Sequence, residues 1–486
     1  MNIYEKLNQQ NSLDNLVCIA DITSEKKIKE LEEDGYYPGF TAQRWRESFP
    51  SIDVNKIYCP KTYLFPAALI YLDWGQYIYI NTMMTNGQYI KSNDTFEEDI
   101  KKRIQILEEA YTSKDYRKLL LSGASEQSGN TTMALLNKML INEPASGELY
   151  EAFFDCYTFG DCGAKQLSPN VMQKLLQCKT QEQKRATLDS LKPFPEMITV
   201  YRGEGSQSTP YTDAYSWTVD INKAYFFASW KGGEKARIIT AQVKKEDIIE
   251  YLTDRNESEI VVLPENVQNA SEKQLCEMDW FLQIINSGFE GYDGKCSLEP
   301  FSGTNLTEKA KNIYQKFGQT NEDHAFEHSS RVSLFASFLY KIMILAEHME
   351  DSKKIKEKYV DYYKKLMKAA IWHDIGREDD LAGTSHGVES YRIFQKHNVP
   401  DKVIQFLIEN HCVEDNEAKS VWEKESKNDT NKDLIWTLFC ILKDADALDR
   451  CRFGNLSEDN LDVNYLRFEV SKSLVAVAYT IQKYAF

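Results

Sequence analysis

The apolar positions of the chain change their period more than once. Over residues 1 to about 125, short helical stretches mix with aromatic, strand-like runs such as QYIYINTMM. This region closes with FEEDIKKRIQILEEAYTSKDYRKLLL, where Ile100, Ile104, Leu107 and Tyr111 recur at helical spacing and predict one apolar face. The small, polar stretch SGASEQSGNTT then predicts a loop or boundary. Its glycines lack phosphate-loop spacing and no lysine follows them, so it is assigned no phosphate role. From about 130 to 195 the pattern is helical. MITVYRG, RIITAQV and EIVVLPE next predict strands, being short, β-branched and bounded by turn or charged residues. From about 305 the pattern is helical almost to the end, with EKESKNDTNKD (423–433) a charged, solvated loop between helices.

Length and charge narrow the picture. A chain of 486 residues exceeds what one core usually serves, so two or three domains are expected. The net charge of -16, from 74 acidic and 58 basic residues, argues against a nonspecific clamp on a nucleic-acid backbone. The ten cysteines, among them Cys18, Cys59, Cys156, Cys162 and Cys296, form no C-x-x-C pair. Neither ribbon-type zinc nor a disulfide framework is expected, and free thiols in a reducing cytoplasm are the simple reading. The N-terminal MNIYEKLNQQNSLDN is polar, unlike a signal peptide. The most apolar run, YLFPAALIYLDWGQYIYI, is broken by Pro66, Asp73 and Gly75 and is unfit to span a bilayer. The expectation is a soluble cytoplasmic protein without membrane insertion, or one delivered into another cell as an effector.

All seven histidines lie between His324 and His411, and residues 1–323 contain none. Histidine is the commonest transition-metal ligand and a ready acid or base, so this segregation calls for a cause. His348 and His397 are expected at the surface. Elsewhere polar residues extend apolar stripes. His328 shares one with Val332, Phe335 and Leu339; His373 follows Leu366 and Ala370; His411 follows Val403 and Leu407; Asp446 follows Ile435, Phe439 and Leu442. Asp374 comes next to His373, and Gly376 is the expected helix stop. Asp444 and Asp449 fall off the Asp446 stripe and are expected to be solvated or to support a ligand. A buried lone imidazole or carboxylate is costly, so such helices converging would aim these groups at one another. A mixed nitrogen and oxygen set suits manganese, iron or magnesium better than structural zinc.

This ordered series, HxxRV, HDIGR, HG followed by Ser, IxxH and DADALDR, resembles the HD superfamily of metal-dependent phosphohydrolases over roughly residues 305–486. The resemblance implies an all-helical bundle with His328, His373, Asp374 and Asp446 as core metal ligands. It implies that His386 and His411 complete a second metal site or hold phosphate, and that the substrate is a phosphorylated compound or nucleotide. His324, one turn before His328, is a possible assistant or only a capping residue.

Upstream, TVYRGEG places Arg202 at a strand end beside Gly203, AYSWT carries Ser216 and Thr218 on a second strand, and NKAYFFASW predicts a helix. A later strand begins Glu257-Ser258-Glu259, whose two carboxylates share one face by the period of two. Two carboxylates on one face repel unless solvated or employed. Together these residues resemble the Arg-Ser-Glu class of mono-ADP-ribosyltransferases, over about residues 130–300. The resemblance implies NAD as cosubstrate: Arg202 gripping the diphosphate or its adjoining ribose, with Gly203 and Thr218 beside the cofactor, and Ser216 supporting the nicotinamide-ribose cradle. It further implies that Glu259 binds the ribose 2′-hydroxyl and that Glu257 serves the acceptor nucleophile. Tyr201, Tyr215 and Phe227 are aromatic neighbours, placed either to stack on nicotinamide or to fill the core.

The expected architecture is α+β and multidomain. It comprises an N-terminal mixed α/β region (1–125), an ADP-ribosyltransferase-like domain with a split β-sheet core (126–300) and an all-α HD bundle (305–486). The expected function is transfer of ADP-ribose from NAD to a protein or nucleic-acid acceptor, coupled to a metal-dependent phosphohydrolase. One rival makes the HD centre the main activity and the upstream domain a sensor of an NAD-like ligand. Another makes both domains non-enzymatic binding modules.

Overall fold

The computed structural model describes residues 16–61, 67–72, 76–81, 93–119, 143–159, 169–206, 208–230, 235–253, 256–286, 303–317, 326–345, 357–378, 386–426, 429–454 and 460–484. The SGASEQSGNTT stretch, Cys162, Cys296, His324 and His348 lie outside them. In chain order the first elements are β1 (Leu16–Cys18), α1 (Glu25–Glu33), α2 (Ala42–Ser48), β2 (Ile57–Pro60), β3 (Ala67–Leu72), β4 (Gln76–Asn81) and α3 (Asn93–Ser113). There follow α4 (Gly147–Phe159), α5 (Pro169–Cys178), α6 (Gln181–Ser190), β5 (Met197–Glu204), β6 (Ser216–Thr218), α7 (Ile221–Trp230), β7 (Arg237–Lys244), β8 (Ile248–Leu252), β9 (Glu259–Val262) and β10 (Gln268–Gln274). The helical remainder is α8 (Met278–Asn286), α9 (Gly303–Phe317), α10 (Phe326–Tyr340), α11 (Glu357–Trp372), α12 (His386–His397), α13 (Lys402–Asn410), α14 (Asp415–Glu425), α15 (Lys432–Asp449), α16 (Glu469–Ser473) and α17 (Val475–Tyr484). The fold is thus mixed α+β.

The chain divides into two compact units. One comprises Met1–Val200, Gln207–Val219 and Ala241–Ala270, the other Tyr201–Ser206, Asp220–Thr240 and Ser271–Phe486. One sheet has the order β1-β2-β3-β4 and a second the order β10-β7-β5-β6-β9-β8. The broken apolar run of the sequence becomes the antiparallel pair β3–β4, with Ala67 opposite Asn81 and Leu72 opposite Gln76. In the first unit, Trp45, Phe49 and Phe153 are fully buried in one core with residues of α3, α4 and α5. A capping box on Thr180 and Gln183 starts α6 and satisfies amides that the helix leaves unpaired. On α3, Ile100 and Leu107 are buried as expected, but Ala110 completes the stripe and Tyr111 is 38% exposed. The small Ala110 sits in the core, whereas Tyr111 is left exposed.

In the second unit α10 is the central helix. Every residue from His328 to Tyr340 is buried, so it is enclosed on all sides by its neighbours, among them α9, α11 and α15. Two departures from the sequence pattern have local causes. The α14 helix runs on to Glu425, shortening the expected loop, because the Trp422 ring packs on Phe406 and its Nε1 donates to Lys432 O at 3.1 Å. Gly376 is not a left-handed helix stop, since α11 already ends at Trp372 and the positive-φ glycines among the described residues are Gly35, Gly39 and Gly454. Its role is close approach: a Cβ there would lie 2.5 Å from Ser390 N.

Candidate functional site

Five helical elements of the second unit bring six chemically active side chains together. His328 lies in the first turn of α10, His373 and Asp374 in the turn after α11, and His386 at the start of α12. His411 is the C-cap of α13, and Asp446 lies in the last turn of α15. Two contacts fix these ends. The Gly376 amide donates to Ser390 Oγ at 3.0 Å, holding the His373–Asp374 turn against α12. A Cβ on Gly387 would meet Ile408 O at 2.6 Å, so only glycine lets the start of α12 reach the end of α13.

His328 Nε2 lies 3.2 Å from His373 Nε2, 3.3 Å from Asp446 Oδ1 and 3.5 Å from Asp374 Oδ2. His373 Nε2 is 3.8 Å from oxygens of both Asp374 and Asp446. Asp374 Oδ1 is 3.1 Å from Nε2 of both His386 and His411, and those two nitrogens are 3.0 Å apart. One carboxylate therefore faces two groups of imidazoles. His328, His373, Asp374 and His411 are buried, while the Asp446 side chain is 34% exposed.

The tautomers test whether a cation fits. A backbone carbonyl only accepts, so His373 Nδ1 donates to Ala370 O at 2.8 Å and His411 Nδ1 donates to Ile408 O at 2.7 Å. When neutral, both rings then turn an Nε2 lone pair inward. His328 Nδ1 is bonded in turn to Asp449 Oδ2 at 2.8 Å. Donors each roughly 2.1 Å from one ion stand roughly 3 to 3.5 Å apart, close to the spacing here. The set requires positive charge. Burial opposes a charged His328, yet hydrogen bonds to Asp374, Asp446 and Asp449 push its imidazole up to about 10. Partial desolvation likewise opposes ionised Asp446, whose side chain is one-third open, but His328 and His373 hold its carboxyl well below the usual range. A divalent cation satisfies the same carboxylates and lone pairs, so the residues fit the metal their pattern implies.

The flanking acids are not solvated. Asp444 is fully buried and accepts from the backbone amides of Arg467 and Phe468 and from Arg467 Nη1. Asp449 is 1% exposed and holds His328 on one side and Arg331 on the other, the latter through two parallel N–H bonds. Both acids lie on the inner faces of α15, because that helix is packed on more than the one stripe that the sequence showed. Of the two roles expected for Asp449, solvated or supporting a ligand, the structure shows the second, with His328 as the group it orients; sequence reasoning missed Arg331 as its counter-charge. The signal was the Arg of HxxRV, one turn after His328. Cys412 was missed as well. It is exposed, and its sulfur lies within 4.8 Å of ligand atoms of His386 and His411. His397, exposed at the end of α12, packs on the Phe317 ring, away from this chemistry.

The Arg-Ser-Glu residues are divided between the units. In the first, β6 and β9 pair antiparallel with Thr218 opposite Glu259. Ser216 Oγ hydrogen-bonds to Glu259 Oε1, and the Tyr157 hydroxyl on α4 donates to the same oxygen at 2.8 Å. Tyr157 is 102 residues away in sequence, and nothing in the local pattern marked it. Thr218 Oγ1 donates to the Glu257 carbonyl at 2.6 Å. The shared strand face expected for Glu257 and Glu259 is absent. The β9 strand starts at Glu259, and Asn256 and Ser258 have positive φ of 54° and 48°, which breaks the alternation. Tyr215 is core, packed with Ile249 and Val261.

In the second unit, β5 continues past Arg202 to Glu204, and Arg202 Nε pairs with Glu204 Oε1 at 3.1 Å. Glu204 also binds Arg237 at 2.8 Å. A Cβ on Gly203 would fall 1.7 Å from Ala224 O, so this glycine is demanded by the packing of β5 on α7. Tyr201 packs against the second core, and the Phe227 ring lies 5.4 Å from Phe226.

No family model, curated protein or solved structure matches the chain. Among the described residues no helix is long and apolar enough to cross a membrane.

Proposed function

We propose that the second unit is a divalent-metal-dependent phosphohydrolase acting on a phosphorylated compound or nucleotide, with manganese, iron or magnesium as its ion. The observation carrying this reading is the convergence of His328, His373, Asp374, His386, His411 and Asp446, with His373 and His411 locked to present Nε2 inward. A bound divalent ion there supplies a water of lowered pKa and neutralises phosphoryl oxygens. The protein's own groups do the rest. Asp374 faces both imidazole groups with one carboxylate, Asp449 keeps His328 oriented, and the Arg331 guanidinium balances Asp449. The buried surroundings strengthen each of these interactions. The test is phosphate release from a panel of nucleotides and phosphoesters with added manganese, iron(II) or magnesium. Wild type is expected to hydrolyse at least one class, and Asp374→Ala none. A wild type inactive with every ion and substrate class counts against the proposal.

A second reading, ADP-ribosyl transfer from NAD to a protein or nucleic-acid acceptor, is favoured by Glu259. Its Oε1 is bonded to both Ser216 and Tyr157, which fixes the carboxylate in one orientation. So held, it suits a hydrogen bond from the ribose 2′-hydroxyl and a developing positive centre as nicotinamide leaves. Nicotinamide release from labelled NAD tests it, and Glu259→Gln is expected to abolish that release.

A further inference from the structure

We propose that Cys412 is a thiolate ligand at the His386–His411 end of the centre, which adds sulfur to the imidazole nitrogens and the shared Asp374 carboxylate there. The proposal rests on the metal reading above. At the other end, His328, His373, Asp374 and Asp446 offer only nitrogen and oxygen. At this end, one ligand atom each from His386, His411 and Cys412 lies within 4.8 Å of the others. The backbone explains the gathering. Because Gly387 carries no side chain, α12 begins against the last carbonyls of α13, so His386 meets the His411-Cys412 turn. That turn is itself pinned, with Val413 N donating to Asn410 O at 3.0 Å and Lys443 Nζ on α15 donating to Val413 O. Lys443 also pairs with Asp415 at 2.9 Å, closing the far side of the turn. Desolvation by the surrounding protein raises the Cys412 thiol above its usual range and a backbone hydrogen bond from Gly387 only partly offsets this, so it is the bound ion that draws off the proton. A soft thiolate beside two imidazoles selects zinc or iron over magnesium, whereas the carboxylate-rich end accepts harder ions. The two ends therefore have different metal preferences. On binding, the thiol releases its proton to solvent and sulfur donates a pair to the ion, with no change of oxidation state.

The test uses the full-length chain, stripped of metal and reloaded with cobalt(II) under anaerobic, reducing conditions. Cobalt content is measured alongside the absorption spectrum. Wild type is expected to bind cobalt and to show a near-ultraviolet thiolate-to-cobalt charge-transfer band. Cys412→Ser should lose the band yet keep cobalt at the carboxylate-rich end, and Cys440→Ala should keep both. Iodoacetamide labelling of Cys412 in wild type, followed by mass spectrometry, provides a readout that needs no variant. Loading is expected to slow labelling by at least about tenfold. Bound cobalt without the band, a band that survives in Cys412→Ser, or equal labelling with and without metal would overturn the proposal while leaving the metal centre standing. A wild type that takes up no cobalt overturns the metal reading and this proposal together.

Discussion

The two candidate sites are assembled on opposite principles. The histidine centre draws buried charges from five helical elements and balances them among themselves, with His328 shared by Asp374, Asp446 and Asp449. The Glu259 site draws on a strand pair and one tyrosine, and settles a single carboxylate with two neutral hydroxyls. The first arrangement needs a positive charge to be complete. The second fixes the orientation of one carboxylate. The contrast extends to buried lysines. Lys179 in the first unit is paired with Glu250 at 3.3 Å, while Lys341 in the second donates to the Ile284 and Ile285 carbonyls.

The largest effect is expected where one group serves both ends of the centre. Asp374→Ala should reduce phosphohydrolase activity by at least about 10³-fold and leave nicotinamide release unchanged, read in parallel assays. Equal loss of both activities would erase the distinction between the sites. Glu259→Gln is the converse. It should reduce nicotinamide release by roughly 10²- to 10³-fold without changing metal content.

The lysines give a pH test. Burial lowers Lys341 to about 8, against an ordinary value of 10.5. Between these values the unfolded chain binds more protons than the folded one, so the Lys341 contribution to stability rises with pH across that window. The gain is on the order of 3 kcal/mol. Below pH 8 the penalty for burying the charge is constant. Urea unfolding of wild type and Lys341→Met should therefore differ in slope between pH 8 and 10.5. Parallel curves would show that Lys341 titrates as if exposed.

The smallest effect concerns orientation. Asp449→Asn keeps the shape but weakens the grip on His328, and should lower metal affinity by about 10- to 100-fold. Competition with a chelator measures it, and unchanged affinity would remove Asp449 from the centre.

The helical site was legible because burying a polar group at the end of an apolar stripe carries a cost that sequence alone exposes. His328, Asp446 and the HDIGR residues were found in that way. Gly376 was found for the wrong reason, since close packing rather than a left-handed turn demands a glycine there. For Asp449 a single-stripe reading of α15 left open whether it is solvated or supports a ligand, and Cys412 was not found because its exposure gave no periodic signal. At the Glu259 site, Ser216 and Glu259 were legible in the sequence, but Tyr157 is joined to Glu259 by tertiary folding alone. The Glu257–Glu259 alternation failed because the backbone turns left-handed at Ser258, and side-chain chemistry does not predict that.

Metal content tests the central claim most directly. Full-length wild type and Asp374→Ala would each be incubated with manganese, desalted and analysed for the element. The account predicts bound manganese in wild type and its loss in Asp374→Ala with the fold intact by circular dichroism. A wild type that retains no metal, or a variant that retains as much, would contradict it.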